Sequence, residues 1–232
     1  MTRLKPDVML LAAGFGKRML PLTENTPKPL VEVAGETLLD RAVANARAEG
    51  LDHFVINAHY LAPRIEAAAE ARGFELSVES ELLGTGGGIK AALPFLGSDP
   101  FLVMNTDAFW PAGVDEPIGR MRDLFAARAP AMVLLCAQPR RATGFRRSHD
   151  FCLAPDARVT RDRGQPVIYT GVALLARSAF AGTPPGAFSL YDLIEKALDA
   201  EALHGVVLDA PWYHVGDPNA LAEVEALLAE PA

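Results

Sequence analysis

Residues 8–30, VMLLAAGFGKRMLPLTENTPKPL, constrain the fold more than any other part of this chain. Residues 8–11 form a short apolar run, which is typical of a strand buried on both faces of a parallel sheet. Small residues follow this strand at once, because Leu11 leads into Ala12, Ala13, Gly14 and Gly16. Such residues let the backbone approach a ligand closely, with its N–H groups facing phosphate oxygens.

Three cations accompany this glycine loop, namely Lys17, Arg18 and Lys28. Prolines in the same stretch stiffen the chain between them. A tight loop with nearby cations suits a polyanionic ligand such as a nucleoside triphosphate. The spacing alone also fits a simple turn beside solvated side chains. It excludes a Walker loop, since GxxxxGK[ST] is absent, and the dinucleotide fingerprint, since no third glycine follows at the required spacing.

The first half of the chain alternates apolar runs with helical patterns. Strands are predicted at residues 8–11, 54–57, 76–78 and 101–104, helices at 37–49, 61–72 and 89–95, and a loop at 81–88. Strand and helix alternating over short loops predict right-handed crossovers and a parallel sheet covered on both faces. With 232 residues, 50% of them hydrophobic, we expect one domain, a Rossmann-like three-layer α/β sandwich with a mostly parallel central sheet.

From about residue 113 the alternation changes. Strands are predicted at residues 132–137, 151–153, 159–161, 167–176 and 205–208, and helices at 118–127, from Ser189, and from Asp217 to about Glu230. Ser189 and Asp192 have capping-box spacing, and Asp217 precedes a proline at the first helical position.

Composition excludes several functions. The net charge of −7 argues against non-specific binding to nucleic acid or an anionic membrane. No apolar run approaches the roughly 20 residues that span a bilayer. The two cysteines, Cys136 and Cys152, indicate neither a disulfide framework nor a zinc site, and a cytoplasmic location is expected. The sequence leaves open a monomer or a homodimer.

A longer motif extends the interpretation of the loop. Gly14-Phe15-Gly16-Lys17-Arg18-Met19, with Pro21, Thr23 and Pro27-Lys28-Pro29-Leu30, resembles the G-x-G-x-R-[LM]-x-P-x-T-x-x-x-P-K-x-[LM] opening of the sugar-1-phosphate nucleotidyltransferases. The resemblance continues through residues 84–88, 105–107 and 212–216. The chain length and the TGGGI string are most similar to bacterial N-acetylmuramate-1-phosphate uridylyltransferases. The resemblance implies the nucleotide-diphospho-sugar transferase fold over residues 1–232, with a nucleotide-binding half at 1–112 and a sugar-binding half at 113–232.

The reaction implied by this resemblance joins two anions. An oxygen of a sugar 1-phosphate attacks the α-phosphorus of a nucleoside triphosphate, and pyrophosphate leaves, so alignment and charge stabilisation provide the catalysis. The implied catalytic residues are Arg18 at the β- and γ-phosphates, Lys28 between the α-phosphate and the sugar phosphate, and Asp107. The implied nucleotide contacts are Leu11, Ala12, Ala13, Gly14, Gly16, Lys17, Glu81 and Gly86. Lys17 and Glu81 equally fit solvated side chains.

A metal site is also implied. Asp107 follows an apolar strand on the side where open α/β sheets bind ligands, and its carboxylate suits Mg²⁺; the alternative is a cap of the next turn. The family shows W-x-D-x-G near its C-terminus, whereas this chain has His214 at the aspartate position. Three interpretations stay open: His214 ligates a softer metal such as Mn²⁺, His214 contacts phosphate, or Asp217 replaces it as the ligand.

The sugar contacts implied by the resemblance are Asn105, Asp150, Thr170 and Gly171. Arg140, Arg141, Arg146 and Arg147 form either a mobile flap over an anionic substrate or a solvated loop. Trp212 and Tyr213 fit either a sugar contact or the core.

Three functional hypotheses remain at this stage. The first is transfer from UTP to a hexose or amino-sugar 1-phosphate, above all N-acetylmuramate 1-phosphate. The second is a guanylyl-, cytidylyl- or uridylyltransferase acting on mannose or glucose 1-phosphate. The third is a nucleotide-sugar sensor without catalysis, which the unusual His214 keeps open.

Overall fold

The computed structural model describes residues 5–229, in which a nine-stranded sheet carries helices on both faces. The strands are β1 (Val8–Leu11), β2 (Glu32–Val33), β3 (Glu36–Thr37), β4 (Phe54–Ala58), β5 (Glu75–Val78), β6 (Phe101–Asn105), β7 (Ala108–Phe109), β8 (Met132–Ala137), β9 (Ala142–Thr143), β10 (Phe151–Leu153), β11 (Val159–Thr160), β12 (Gln165–Leu175), β13 (Leu203–Leu208) and β14 (Trp212–His214). The helices are α1 (Leu38–Arg47), α2 (Ala62–Glu70), α3 (Gly84–Ala92), α4 (Pro117–Arg128), α5 (Leu190–Asp199) and α6 (Pro218–Ala229).

Strand β1 lies inside the large sheet, between β4 and β6, and pairs in parallel with both. Strand β5 continues the parallel part at one edge. On the other side, β12 pairs antiparallel with β6, β8 and β10. Strands β7, β14 and β9 form a separate small sheet. The first half therefore supplies four parallel strands, and the long antiparallel strand β12 joins them to the second half, where β8 and β13 form a further parallel pair.

The core has a layer on each face of the sheet. Successive residues of β1 point to opposite faces, so Val8 and Leu10 pack with α1, α2 and α4, whereas Met9 packs with α3 and α5. All three side chains are fully buried. This arrangement confirms the three-layer α/β sandwich, and the continuous apolar run of β1 follows from its burial on both faces.

Most predicted elements are confirmed to within a few residues. Thr37 caps α1, with its hydroxyl accepting from the backbone N–H of Asp40, and Ser189 and Asp192 form the capping box of α5. Asp217 accepts from the N–H of Ala220 at the start of α6. Glu230, the predicted end of the last helix, lies outside the described residues.

One prediction is wrong. Residues 84–88 belong to helix α3 and not to a loop. Three glycines of this helix are buried: the segment before α5 packs directly on Gly86 and Gly87, and the side chains of Glu79 and Asn57 lie against Gly88. A Cβ atom on Gly86 would lie 2.4 Å from the Phe188 ring, and one on Gly87 would lie 2.5 Å from the Gly186 carbonyl oxygen. The glycine string therefore permits close packing inside a helix, although glycine is a poor helix former.

Two further expectations concern burial. Both cysteines are buried and free, and Cys136 lies in the core, where burial raises the pKa of its thiol to about 12. Across residues 5–229, none of the helices combines the length and the apolar character needed to cross a bilayer.

The packing of α3 predicts a stability change. We expect Gly87→Ala to lower the free energy of unfolding by about 1 kcal/mol or more. Overpacking costs roughly 1–3 kcal/mol, which outweighs the better helix propensity of alanine, about 1 kcal/mol. Gly97→Ala is the control, because its Cβ would meet nothing closer than the Asp7 carboxylate at 3.5 Å. Urea unfolding measures both variants, and equal stability of Gly87→Ala and the wild type would contradict the prediction.

Candidate active site

The glycine loop lies at the carboxyl end of β1 and lines a cavity of about 320 Å³. Five residues that the sequence predicts as nucleotide contacts line it, namely Leu11, Ala12, Ala13, Gly14 and Gly16. Gly16 has a positive φ of 62°, and a Cβ there would approach Thr23 and Lys28 to 3.1 and 3.2 Å. Glycine is therefore required at this turn for both conformation and space.

Hydrogen bonds from buried polar side chains hold the backbone of this loop in place. The Asn57 side-chain oxygen accepts from the N–H of Ala12 at 2.7 Å, and its amide nitrogen donates to Glu79 at 2.6 Å. The Thr106 hydroxyl donates to the Leu11 carbonyl at 2.8 Å. The Thr23 hydroxyl donates to the Gly16 carbonyl at 2.9 Å. The loop thus presents a fixed backbone to the cavity.

The predicted phosphate cations surround the loop. Lys28 lines the 320 Å³ cavity, and Lys17, Arg18 and Lys28 line a second cavity of about 280 Å³ that also contains Gly216. Arg18 further lines a third cavity of about 490 Å³, so it borders two neighbouring spaces. Lys17 Nζ lies 5.2 Å from the centre of the Phe15 ring. The structure brings all three cations to one side of the loop.

Lys28 and Asp107 form an ion pair between these cavities. Lys28 Nζ lies 2.6 Å from Asp107 Oδ2, and both side chains are largely buried. Burial alone would raise the pKa of Asp107, but the charge of Lys28 and the nearby His214 hold it well below its usual range. Asp107 is therefore an anion at neutral pH. Its Oδ1 atom is buried and has no hydrogen-bond partner in the part of the chain that the structure describes.

His214 is held tightly beside Asp107. Its Nε2 atom lies 3.6 Å from Asp107 Oδ2, and Nδ1 lies 3.3 Å from the carbonyl oxygen of Gly144. The ring stacks on Trp212, with centroids 5.7 Å apart and an interplanar angle of 8°. A Cβ on Gly216 would come within 2.7 Å of this ring. Since a carbonyl only accepts, Nδ1 donates its N–H in that bond, and the ring places Nε2 beside the Asp107 carboxylate.

Three of the predicted sugar contacts lie where β12 is irregular. The register of β12 against β8 shifts between Tyr169 and Ala173. Gly171 has a φ of 85° there, and a Cβ on it would lie 2.7 Å from the Asn105 amide. The Thr170 hydroxyl donates to the Leu135 carbonyl at 2.8 Å. Such irregularities often occur next to active sites, and here one places Asn105, Thr170 and Gly171 along the 490 Å³ cavity.

Asp150, the fourth predicted sugar contact, lines the same cavity. Its carboxylate accepts from the N–H of Tyr169 at 3.0 Å and lies 2.6 Å from Nη2 of Arg147. The Asp150 side chain is only 3% exposed, whereas that of Arg147 is 66% exposed. Burial raises the pKa of Asp150, although the Tyr169 hydrogen bond and Arg147 oppose this shift.

The four arginines of residues 140–147 each have a polar partner. Arg140 donates to Gln138, Arg141 pairs with Asp209, and Arg146 pairs with Glu223 at 3.1 Å and with Asp217 at 3.8 Å. Two of them, Arg146 and Arg147, line the 490 Å³ cavity. The solvated interpretation thus fits Arg140 and Arg141, while the other two face the candidate site. Trp212 is buried in the core and also borders this cavity, and Tyr213 packs on Phe109.

Two predicted nucleotide contacts lie elsewhere. Glu81 is exposed and is not among the residues that line the three cavities. Gly86 is buried, and its N–H donates to the Phe188 carbonyl at 3.0 Å. The carboxylate that supports the loop is instead Glu79, which is 4% exposed. The assignments of Glu81 and Gly86 stay predictions.

Two residues that support the loop were not predicted from the sequence, namely Asn57 in β4 and Glu79 directly after β5. Asn57 lies at the carboxyl end of β4, the position at which open α/β sheets bind ligands. The rule that selected Asp107 after β6 would have selected Asn57 as well. Glu79 directly follows β5, but only its burial distinguishes it from the exposed Glu81.

This fold and site define a nucleotidyltransferase. Residues 8–201 match the MobA-like NTP transferase domain, and the chain belongs to that family. It is 36% identical to N-acetylmuramate alpha-1-phosphate uridylyltransferase of Caulobacter vibrioides, over 96% of both chains. It is 32% identical to the Neisseria meningitidis protein of the same name, over 94% of this chain and 96% of that one. The resemblance seen in the sequence is therefore confirmed, and the chain is an enzyme of the sugar-1-phosphate nucleotidyltransferase class.

Solved structures agree on the fold. UDP-glucose pyrophosphorylase complexed with UDP-glucose matches with a TM-score of 0.78 and 16% identity, over 97% of this chain and 98% of that chain. At this identity the likeness shows the fold alone. It confirms the nucleotide-diphospho-sugar transferase type of α/β sandwich.

The support of the loop predicts a combined loss of stability and nucleotide affinity. We expect Asn57→Ala to lower the free energy of unfolding by about 1–3 kcal/mol, because the Ala12 N–H and the Glu79 carboxylate both lose a buried partner. We also expect a higher Kd for nucleoside triphosphate, since the loop is then less fixed.

The matched control is Asn45→Ala. Asn45 is also buried and exchanges two hydrogen bonds, of 2.9 and 3.1 Å, with the backbone of Trp110, away from the three cavities. This variant should lose similar stability and keep its nucleotide affinity. Urea unfolding and isothermal titration calorimetry measure the two quantities. An equal effect of both substitutions on affinity would contradict a special role for Asn57.

Proposed function

We propose that this enzyme transfers a uridylyl group from UTP to N-acetylmuramate 1-phosphate, releasing pyrophosphate. The observation that carries nucleotidyl transfer is the Lys28–Asp107 pair beside a fixed glycine loop. The choice of UTP and of this sugar is supported by the names of the two relatives that match nearly the whole chain. Residues 1–112 hold the nucleotide, and residues 113–232 contribute most of the sugar site.

The proposed nucleotide site is the 320 Å³ cavity. Leu11, Ala12, Ala13, Gly14 and Gly16 line it, and because the Ala12 N–H already donates to Asn57, the N–H groups of the residues after Ala12 are the ones proposed to face phosphate. Fixed N–H groups cost no reorganisation when charge develops on a phosphate. Glu81 and Gly86 stand outside this proposal, since the first does not line the cavity and the second donates its N–H to Phe188.

Arg18 and Lys28 are proposed to bind different phosphates of the nucleotide. Arg18 lines two cavities and suits the β- and γ-phosphates, because a guanidinium can grip two oxygens at once. Lys28 lines the 320 and 280 Å³ cavities and pairs with Asp107, and it stabilises the negative charge that builds at the α-phosphorus during in-line attack. Lys17 lines the 280 Å³ cavity beside Phe15.

The donor groups fit one divalent cation. Asp107 Oδ1 is buried without a partner in the described residues, and Mg²⁺ favours carboxylate and phosphate oxygens. Among residues 5–229, no cluster of three or more His, Cys, Asp or Glu side chains is placed to hold a metal. Asp107 and His214 would therefore be the protein donors, with phosphates and water completing the shell. When bound, the cation would offset the phosphate charge.

The proposed sugar site is the 490 Å³ cavity. Asn105, Asp150, Thr170 and Gly171 line it together with Arg18 and Asp107, so a sugar there places its 1-phosphate near the catalytic groups. Asn105 ends β6 in register with Leu11 of β1. The two substrates thus meet across neighbouring strand ends, which is the alignment that the reaction requires.

Pyrophosphate release tests this proposal directly. Each nucleoside triphosphate is combined with N-acetylmuramate, N-acetylglucosamine, glucose and mannose 1-phosphates, in Mg²⁺ and separately in Mn²⁺. Turnover with UTP and N-acetylmuramate 1-phosphate as the best pair is the expected result. A guanylyl or cytidylyl preference would overturn the substrate assignment. Nucleotide binding without turnover for every pair would overturn catalysis and favour a sensor.

The role of Lys28 predicts a large kinetic defect. We expect Lys28→Ala to lower kcat about a hundredfold or more, since removing one group that stabilises developing charge costs about 3 kcal/mol. Lys5→Ala is the control, because Lys5 forms an exposed pair with Asp52 far from this site in the fold. Steady-state pyrophosphate release measures both. A defect of less than tenfold in Lys28→Ala would contradict the assignment.

The identity of residue 214 predicts the metal preference. Imidazole is a better ligand for Mn²⁺ than for Mg²⁺, so His214→Asp should shift the ratio of kcat/KM in Mn²⁺ to that in Mg²⁺ towards Mg²⁺. Asp217→Asn is the comparison, because Asp217 already caps α6 and pairs with Arg146. An unchanged ratio in His214→Asp, with a changed ratio in Asp217→Asn, would make Asp217 the ligand.

A further inference from the structure

One basic side chain that lines the 490 Å³ cavity, Arg147, has no role in the proposed phosphate chemistry. Arg147 lines only this one of the three cavities. Lys28 lines the other two, and Arg18 lines the 280 and 490 Å³ cavities. The Arg147 side chain is 66% exposed, so its guanidinium is accessible to a ligand. Arg146, the neighbouring cation, is already held by Glu223 and Asp217.

Buried groups fix the position of Arg147. Its Nη2 atom lies 2.6 Å from Oδ1 of Asp150, a side chain that is only 3% exposed. Asp150 is in turn held by the backbone N–H of Tyr169 in β12. The guanidinium also lies 5.3 Å from the centre of the Phe145 ring. A long side chain that would otherwise be mobile is therefore pre-positioned at the cavity wall.

A guanidinium anchored in this way can still bind a second anion. Arg147 also interacts with the Tyr191 hydroxyl. Arginine carries five N–H donors in one plane, so it can hold Asp150 and Tyr191 while a remaining donor faces another carboxylate. A neutral hexose offers only hydroxyl and amide groups, which require no fixed cation. A sugar that bears a carboxylate does require one, because burying an unpaired charge is costly.

We propose that Arg147 is a specificity-determining residue that binds a carboxylate on the sugar substrate, with Asp150 as its positioning residue. This inference rests on the proposed function, whose sugar is an N-acetylglucosamine unit with a carboxylate on a lactyl ether. Arg147 distinguishes that sugar from the otherwise identical neutral one. The basic loop is thus a recognition element for an acidic sugar, and Arg140 and Arg141, which do not line the cavity, take no part in this recognition.

Two substrates that differ only in the lactyl group test this role. Steady-state kinetics with UTP compare N-acetylmuramate 1-phosphate with N-acetylglucosamine 1-phosphate in the wild type, Arg147→Met and Arg147→Lys. We expect Arg147→Met to lower the preference for the acidic sugar, as a ratio of kcat/KM values, about 10- to 100-fold, the effect of losing one charge-assisted contact. The loss should be in KM more than in kcat. Arg147→Lys, which keeps the charge, should recover part of the preference.

Arg140→Met is the matched control. Arg140 belongs to the same loop, donates to Gln138 and does not line the cavity, so its ratio should equal that of the wild type. An equal loss for both sugars in Arg147→Met would indicate a structural role and overturn the inference. So would an unchanged ratio, or a wild type that uses only neutral sugars, although nucleotidyl transfer would then stand. Absence of turnover with every sugar would overturn the proposed function as well.

Discussion

The parallel pairing of β1 with β4 and β6 is the constraint on which the rest of the site depends. It sets Leu11 beside Asn105 and places the carboxyl ends of three strands at one edge of the sheet. Each strand end then supplies a different group to the site. The glycine loop follows β1, the supporting Asn57 lies at the end of β4, and Asp107 follows β6. Because the side chains of β1 alternate between two packed layers, a one-residue slip in register would move each of them into the opposite layer. The core therefore fixes the relative positions of groups that are far apart in sequence.

Charge at this edge is balanced locally, as an acidic chain that handles anions requires. Lys28 and Asp107 neutralise each other at 2.6 Å, and Arg147 and Asp150 do so at the same distance. The two pairs differ in exposure. Both side chains of the first pair are largely buried, whereas in the second pair Asp150 is buried and Arg147 is exposed to solvent. A mostly buried pair interacts at a lower effective dielectric constant and acts strongly on whatever enters beside it. An exposed arginine on a buried carboxylate instead keeps its free donors available to a ligand.

The sequence could predict the parts of this structure that depend on local patterns. The apolar runs predicted the parallel strands, and the capping residues Thr37 and Ser189 predicted two helix starts. The G-x-G motif predicted the loop that lines the 320 Å³ cavity. The sequence could not predict that residues 84–88 are helical, because glycine propensity points to a loop and only tertiary packing, of Phe188 and Gly186 on one side and of Glu79 on the other, explains the string. Glu79 escaped for a related reason, since only its burial distinguishes it as a support of the loop, whereas Asn57 at the end of β4 fits the strand-end rule that selected Asp107.

His214 shows how the second half of the chain completes a site that the first half begins. Strand β14 pairs with β7, which follows Asp107, and with β9, which precedes Gly144. The small sheet therefore carries the histidine to the aspartate, and Trp212, Gly144 and Gly216 surround its ring. A side chain confined on these sides cannot swing away to make room for a different ligand geometry. The position of the ring is thus set by packing, and the chemistry at residue 214 depends on which atom the side chain presents to Asp107.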